Sequence, residues 1–420
     1  MHLYDLPLVF VLIGLVLFTV LAGADFGAGF WQLSAGAGAS GARVRDHAHN
    51  SMAPVWEANH VWLIFVLTVT WTAYPRAFGS IASTLSIPLF IAAIGIVLRG
   101  ATYALRAGAS SARERQPIDA VFAISSILTP FALGTMVGGI ASRRVPLGNA
   151  AGEDLSSWLN PTSLLVGVLA VATSAYIAAV FLAADAARVS DRDLERRFRA
   201  RALGAGVIAG AIAIAGVAVL SSDAHPLYHR LLHSDALAGV IVSIVAGVIT
   251  LELVRRDRFE SARYTAATAV AAVIAGWALA QNPVLVRGLT VQQAAAPHDT
   301  LVAVTVAVIA GAVILFPSLA LLFRLVLHGQ LDHDARAAGR TLGSAASLLS
   351  ASASGSFTRL AAASLIAGFG FLTVAEAGWA HAIGVLALLG FLVFGFLAAA
   401  PAELAAGDHE RGASSTGAPP

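Results

Sequence analysis

The feature that most constrains this chain is a series of eleven continuous apolar runs, each of a length to cross a hydrocarbon layer about 30 Å thick, for which about 20 residues suffice. They centre near Leu17, Val66, Ala92, Thr129, Ala172, Ala211, Val245, Ala272, Val313, Gly368 and Leu389. Backbone amides and carbonyls find no partners in lipid, so a spanning segment closes its own hydrogen bonds as a helix or joins a closed barrel. Barrel strands alternate apolar and polar residues over about ten positions; these runs do not alternate. Composition agrees, with 58% hydrophobic and only 12% charged residues, against about 25% charged in ordinary soluble domains. The first run, Leu8 to Leu33, is too long for a signal-peptide core and has no Arg or Lys before it, so it reads as a retained spanning helix. The expected fold is an all-α integral membrane protein of about eleven transmembrane helices.

Charge placement orients those helices. All 26 basic residues are arginine. Connections 1–2, 3–4, 5–6, 7–8 and 9–10, together with the tail, hold 21 of them; the alternate connections hold the other 5. Cytoplasmic loops carry the excess of positive charge, which predicts an outward N-terminus and a cytoplasmic C-terminus. The connections are short, so no soluble domain is expected. The longest, from about Gly329 to Phe357, is rich in Ala, Gly and Ser and reads as a loose amphipathic linker. The expected division is a membrane domain over residues 1–328, a cytoplasmic linker over 329–357, two further helices within 358–400 and a disordered tail over 401–420. Small-xxx-small pairs at Gly23/Gly27, Gly134/Gly138 and Gly206/Gly210 permit close helix contacts.

Several chemistries are excluded. The chain has no cysteine, which removes disulfides, thiolate metal sites, iron–sulfur clusters and a catalytic thiol. Haem needs axial His, Met or Cys within the membrane. Beyond Met1 there are only Met52 and Met136, and His60 is the one histidine well inside the first nine runs. A multi-haem electron path within this chain is therefore not expected. His225, His229 and His233 share a face if their loop is helical, but Pro226 and the short segment favour an interfacial helix over a metal site. No phosphate-binding loop, nucleophilic triad or nucleic-acid signature is evident.

Ionisable groups inside spanning helices are costly and are functional candidates by default. Asp25 lies about 12 Å from the inner end of the first helix at 1.5 Å per residue, within Gly23-Ala24-Asp25-Phe26-Gly27-Ala28-Gly29. Its small neighbours admit another helix or a water; the alternative role is an interhelical hydrogen bond without transport. Glu57 sits in Pro54-Val55-Trp56-Glu57-Ala58-Asn59-His60-Val61-Trp62 at the inner end of the second run. A helix dipole alone accounts for a carboxylate there. Its i, i+3 relation to His60, with Asn59 as a neutral relay, points instead to proton uptake from the cytoplasm toward Asp25. Arg99 and Arg106, at the inner end of the third run, read first as snorkelling anchors and second as ligands for lipid phosphate or a partner's carboxylate. Glu252 has Arg255 and Arg256 beside it as ion-pair partners, and Glu376 reads as a packing or interfacial residue.

The segment Trp56-Glu57-Ala58-Asn59-His60-Val61-Trp62 resembles subunit II of the cytochrome bd-type quinol oxidases, including the cyanide-insensitive branch. So do Gly23 to Gly29, Arg99-Gly100-Ala101-Thr102-Tyr103-Ala104-Leu105-Arg106, Ala175-Tyr176-Ile177-Ala178-Ala179-Val180-Phe181, Gln281-Asn282-Pro283, Leu289 to Asp299 and Phe316-Pro317-Ser318. The resemblance covers about residues 5–328. It implies two four-helix bundles plus a ninth helix in a quinol:oxygen oxidoreductase of the bacterial cytoplasmic membrane. In that family the partner subunit I carries haems b and d and oxidises quinol, whereas subunit II carries no haem. The resemblance implies a proton path through Asp25 and Glu57 with His60 and Asn59 beside it, and structural or interface roles for Trp56, Trp62, Arg99 and Arg106. It leaves open a structurally bound quinone. Many relatives have aspartate at Glu57 and glutamine at His60, so this chain keeps the carboxylate and adds a titratable ring. The two helices expected beyond residue 357 depart from the family; they are expected to cover a lateral surface or to replace a small accessory subunit. Two other classes fit buried carboxylates, a secondary transporter and a purely structural membrane scaffold.

Overall fold

A computed structural model describes residues 2–36, 38–108 and 112–327, with short helical pieces between 359 and 394; side chains at 53–58, 107–108, 112–114 and 316–327 are outside the description. Two compact units meet in sequence at Val313 and Ile314. In chain order, the helices and strands are α1 (Leu6–Leu33), α2 (Gly38–Ala73), α3 (Pro75–Thr84), α4 (Ser86–Gly108), α5 (Ala112–Ala141), α6 (Pro161–Arg188), α7 (Arg192–Asp223), α8 (His225–His233), α9 (Ala236–Arg255), α10 (Phe259–Gln281), β1 (Val284–Val286), β2 (Leu289–Thr290), α11 (Val291–Ala294) and α12 (His298–Leu327). Among the described residues, eight helices are long and apolar enough to cross a membrane, and the apolar stretch Asn59–Ala73 of α2 is a shorter candidate. These nine segments coincide with the first nine apolar runs. The tenth and eleventh runs, the linker, the tail and Glu376 lie largely or wholly outside the described residues.

Within the first unit, α1 packs against α2, α5 and α6, α4 packs on α5, and α6 also meets α7 and α10, with α9 against α10. Glycines set the closest of these contacts. A Cβ at Gly27 would overlap the Ser174 carbonyl of α6, one at Gly29 would overlap the Ser126 hydroxyl of α5, and one at Gly138 would overlap Ser163 of α6. Gly206 is hemmed in by Leu251 and Tyr176, whereas Gly210 faces open space; of the Gly206/Gly210 pair only the first is a packing glycine. The main apolar core joins α1, α2, α6, α7, α9 and α10 through Val44, Ile177, Leu182, Phe198, Val254, Ala262 and their neighbours. Large side chains such as Phe90, Val97, Ile208, Ile214, Ile244, Val248 and Ile309 stand on the outside, as lipid solvent requires.

Two features escaped the apolar pattern. The helix α3 precedes α4, and a two-residue turn between β1 and β2 carries Gly288 at φ +84°, a left-handed geometry suited to glycine. The histidine segment forms the nine-residue helix α8, with the His229 and His233 rings stacked at 4.6 Å. Among the described residues no group of three or more His, Asp or Glu is arranged to hold a metal.

Candidate functional site: a buried ion pair beside a polar cavity

Asp25 and Arg99 meet inside the helix packing, with side chains 1% and 0% exposed. Arg99 is thus not a snorkelling anchor. The helix it sits on is packed through that face, and its guanidinium turns inward to the nearest carboxylate. Arg99 Nε donates to Asp25 Oδ2 at 2.8 Å, and Nη2 donates to Asp25 Oδ1 and to the Asp25 carbonyl, both at 2.6 Å. This two-pronged geometry suits a planar guanidinium and a carboxylate. Arg99 Nη1 donates to Ser126 Oγ, and Ser126 donates onward to the Phe122 carbonyl. The guanidinium carbon lies 4.1 Å from the Phe122 ring centre and 5.0 Å from that of Phe26, so ring faces replace water around the cation. The absence of a Cβ at Gly29 leaves the room that Ser126 occupies. Two charges out of water are tolerable only with such complete pairing.

A third donor completes the carboxylate. Tyr103, one turn beyond Arg99 on α4, donates its hydroxyl to Asp25 Oδ1 at 2.9 Å. The same tyrosine lines a cavity of about 220 Å³ with Asp46, His49 and Asn50 of α2, Arg106 of α4 and Arg115 of α5. His49 stacks on Tyr103 with ring centres 5.2 Å apart. Arg106 spans the cavity wall, donating to Asp119 at 2.7 Å and to Asp46 at 3.3 Å; it is tied within this chain. Partial burial holds the His49 imidazole below its usual pKa of 6.5, and the adjacent Arg106 guanidinium adds to that.

The other expected site residues are placed as follows. Asn59 is fully buried and donates to the Leu21 carbonyl at 3.2 Å, and among the described residues its side-chain oxygen has no partner. His60 is half-buried next to it. Trp62 packs on Phe18, Ala22 and Phe26 of α1, the last of which borders Arg99. Trp56 and Glu57 fall among the side chains outside the description. Glu252 accepts from Arg255 at 2.7 Å and Arg256 at 2.6 Å, an exposed surface cluster. Sequence reading missed Tyr103, Ser126, His49, Asp46 and Asp119. Part of the signal was present: Arg99, Tyr103 and Arg106 fall at i, i+4 and i+7, a polar stripe on an otherwise apolar helix.

Comparison with known proteins places this architecture. A family model for cytochrome bd terminal oxidase subunit II matches residues 3–326. The chain is 22% identical over 238 residues to the putative cytochrome bd menaquinol oxidase subunit II of Bacillus subtilis, covering 55% of this chain and 67% of that protein. It is 28% identical over 168 residues to the cytochrome bd ubiquinol oxidase subunit 2 of the same organism, covering 40% and 48% of the two chains. With the cytochrome bd-I ubiquinol oxidase subunit 2 of Escherichia coli it shares 27% over 171 residues, 38% and 44% of the two chains. The matched region thus spans about half the length of the last two relatives. In fold it is similar to a chain of the bd oxidase from Geobacillus thermodenitrificans, with a TM-score of 0.61 at 24% identity over 78% of this chain and 99% of that one. A multi-pass helical membrane protein matched over residues 3–326, this chain belongs to the cytochrome bd terminal oxidase subunit II family.

Proposed function

We propose that this chain is the haem-free subunit of a quinol:oxygen oxidoreductase in a bacterial cytoplasmic membrane. In this reading it supports assembly of a haem-bearing subunit I and conducts cytoplasmic protons toward the oxygen-reduction site there. Haems b and d belong to the partner, electrons come from quinol, and a structurally bound quinone or a small accessory subunit adds to the complex. The nine segments of residues 1–328 are two four-helix bundles and a ninth helix, oriented N-terminus outward by the arginine asymmetry. The observation that carries the proton role is a carboxylate enclosed among spanning helices yet joined by one hydroxyl to a polar cavity, namely Asp25, Tyr103 and the chamber at His49. Glu57, His60 and Asn59 form a second polar set on α2, from which Asn59 reaches the α1 backbone at Leu21.

The Arg99 pair constrains how Asp25 can take part. Protonating the carboxylate leaves a buried guanidinium without its counter-ion, a loss of about 3–5 kcal/mol. A turnover of about 10³ s⁻¹ corresponds to a barrier of about 13 kcal/mol. Transient protonation is therefore compatible with turnover, whereas stable storage of a proton is not. The saturation of Asp25 favours a second reading, a structural clasp tying α1 to α4 and α5. Membership of an oxidase family gives no support to a transporter.

The test is Asp25→Asn and Glu57→Gln in the assembled oxidase. Oxygen-reduction turnover is expected to fall at least about tenfold with normal haem content. Loss of haem with Asp25→Asn supports the clasp instead, and full turnover in both variants removes the proton reading.

A further inference from the structure

The cavity beside the ion pair differs from an ordinary surface dent in its lining. Its wall holds two carboxylate-paired or exposed guanidiniums, a carboxylate, an amide, an imidazole and a phenol. Among the described residues, Arg106 and Arg115 on the wall are set against Asp46 on the wall and Asp119 behind it, which pairs with Arg106, and this balance disfavours a site for a phosphate or another fixed anion. Mixed donors and acceptors suit water, which needs two to four polar partners at each position. Two details connect this chamber to the interior. Among the described residues, the buried Nδ1 atom of His49 has no hydrogen-bond partner. Tyr103 bridges the two environments, lining the chamber while its hydroxyl donates to Asp25 Oδ1. Among the described contacts, no other side chain both lines the chamber and touches the Asp25 carboxylate.

We propose that this chamber is a proton-intake site, in which His49 and cavity water receive protons from the arginine-rich side and Tyr103 passes them to Asp25. The proposal rests on the proton-conducting reading above and names its access point. The step balances. A neutral ring nitrogen of His49 takes a proton from solvent and releases it to cavity water. An O–H bond forms from that water to the Tyr103 oxygen as the original phenolic O–H breaks and a new O–H forms on Asp25 Oδ1. Tyr103 ends unchanged and never carries a full charge. The cation left on Arg99 then makes Asp25 a short-lived carrier, favouring onward transfer. Tyr103 is a positioning residue as well, because its hydrogen bond, together with that from Arg99 Nη2, holds Asp25 Oδ1 against the phenol.

His49 also sets a pH response. The groups around it are Asp46 on its own helix, Arg99, Tyr103 and Arg106 of α4, and Asp119, Phe122 and Arg115 of α5. Once His49 is protonated at equilibrium, its charge opposes entry of another proton into the chamber, so intake slows in acid.

The experiment uses the complete oxidase with its partner subunit, measuring oxygen-reduction turnover from pH 5 to pH 9 in H₂O and D₂O alongside haem content. Tyr103→Phe keeps the ring and removes the hydroxyl; it is expected to lower turnover about fivefold or more and to change the solvent isotope effect. His49→Gln is expected to remove the decline at acid pH. If Asp25→Asn slows turnover while both chamber variants behave as wild type, the chamber is not the intake and the broader reading survives. If Asp25→Asn also retains full turnover, the broader reading fails with it. Should Tyr103→Phe lose haem through misassembly, the pH profile of His49→Gln decides alone, an unchanged profile overturning the proposal.

Discussion

At the scale of single residues, Arg99 is the side chain whose environment departs most from expectation. A guanidinium wholly out of water is held by one carboxylate, one hydroxyl and three ring faces. Removing one member of such a pair strands the other, at about 3–5 kcal/mol, whereas replacing both with apolar groups of similar volume is far milder. Arg99→Met is therefore expected to lower the thermal stability of the complex and its haem retention. The double variant Asp25→Leu/Arg99→Met is expected to regain much of that stability without regaining turnover. Recovery of neither quantity by the double variant would show that the pair is not the origin of the defect. His49 gives a second prediction. Its folded pKa lies below the usual 6.5 because it is partly buried beside Arg106, so below pH 6.5 the unfolded chain binds more protons than the folded one. That part of stability is complete above pH 6.5 and is lost as pH falls through the folded value. Melting curves at pH 5 and pH 7.5 should differ more for the wild type than for His49→Gln.

Between helices, separation is set by a few positions where no Cβ fits. Gly27 lies against the backbone of Ser174, so neither neighbour can rotate away from an added side chain. Overpacking a tight contact costs about 1–3 kcal/mol, and a contact with backbone belongs at the upper end. Gly27→Val is expected to separate α1 from α6, lowering the yield of assembled complex and loosening the Trp31 indole from the Ala175 carbonyl, now 2.8 Å apart. Gly210→Ala, facing open space, is expected to leave the yield unchanged or slightly improved, since alanine favours helix over glycine. Comparable yields for the two variants would refute this assignment of packing roles. The small-residue pattern by itself does not separate Gly27 from Gly210. Both lie in small-xxx-small pairs, and only the neighbour decides.

For the molecule as a whole, the charge distribution predicts the orientation. Because the chain has no cysteine, single cysteines report sidedness without a background. With the arginine-rich connections inside, Arg192→Cys should react with an impermeant maleimide only from the cytoplasmic side, and Asp154→Cys only from outside. The reverse pattern would overturn the orientation. The two helices expected beyond residue 357 lie outside the core matched by the family. A chain ending at residue 340 is expected to lose assembly or turnover if they cover a lateral surface, and wild-type behaviour would remove that role.

Much of this protein is written in one dimension. Eleven apolar runs determine that the chain lives in lipid and is helical, because a backbone in hydrocarbon must close its own hydrogen bonds. The absence of cysteine and the sorting of arginines are equally legible, since neither requires knowing which residues touch. Asp25 stood out for a similar reason: a carboxylate in an apolar run is conspicuous at any fold. What it touches was not legible. Arg99 lies 74 residues away in sequence and reads in isolation as an anchor at a helix end. Only the approach of α1, α4 and α5, permitted where Gly29 makes room for Ser126, turns two costly charges into a pair and leaves Tyr103 between them and a polar cavity. Lipid solvent fixes which segments are buried in the membrane; close packing between distant segments fixes which charges find each other.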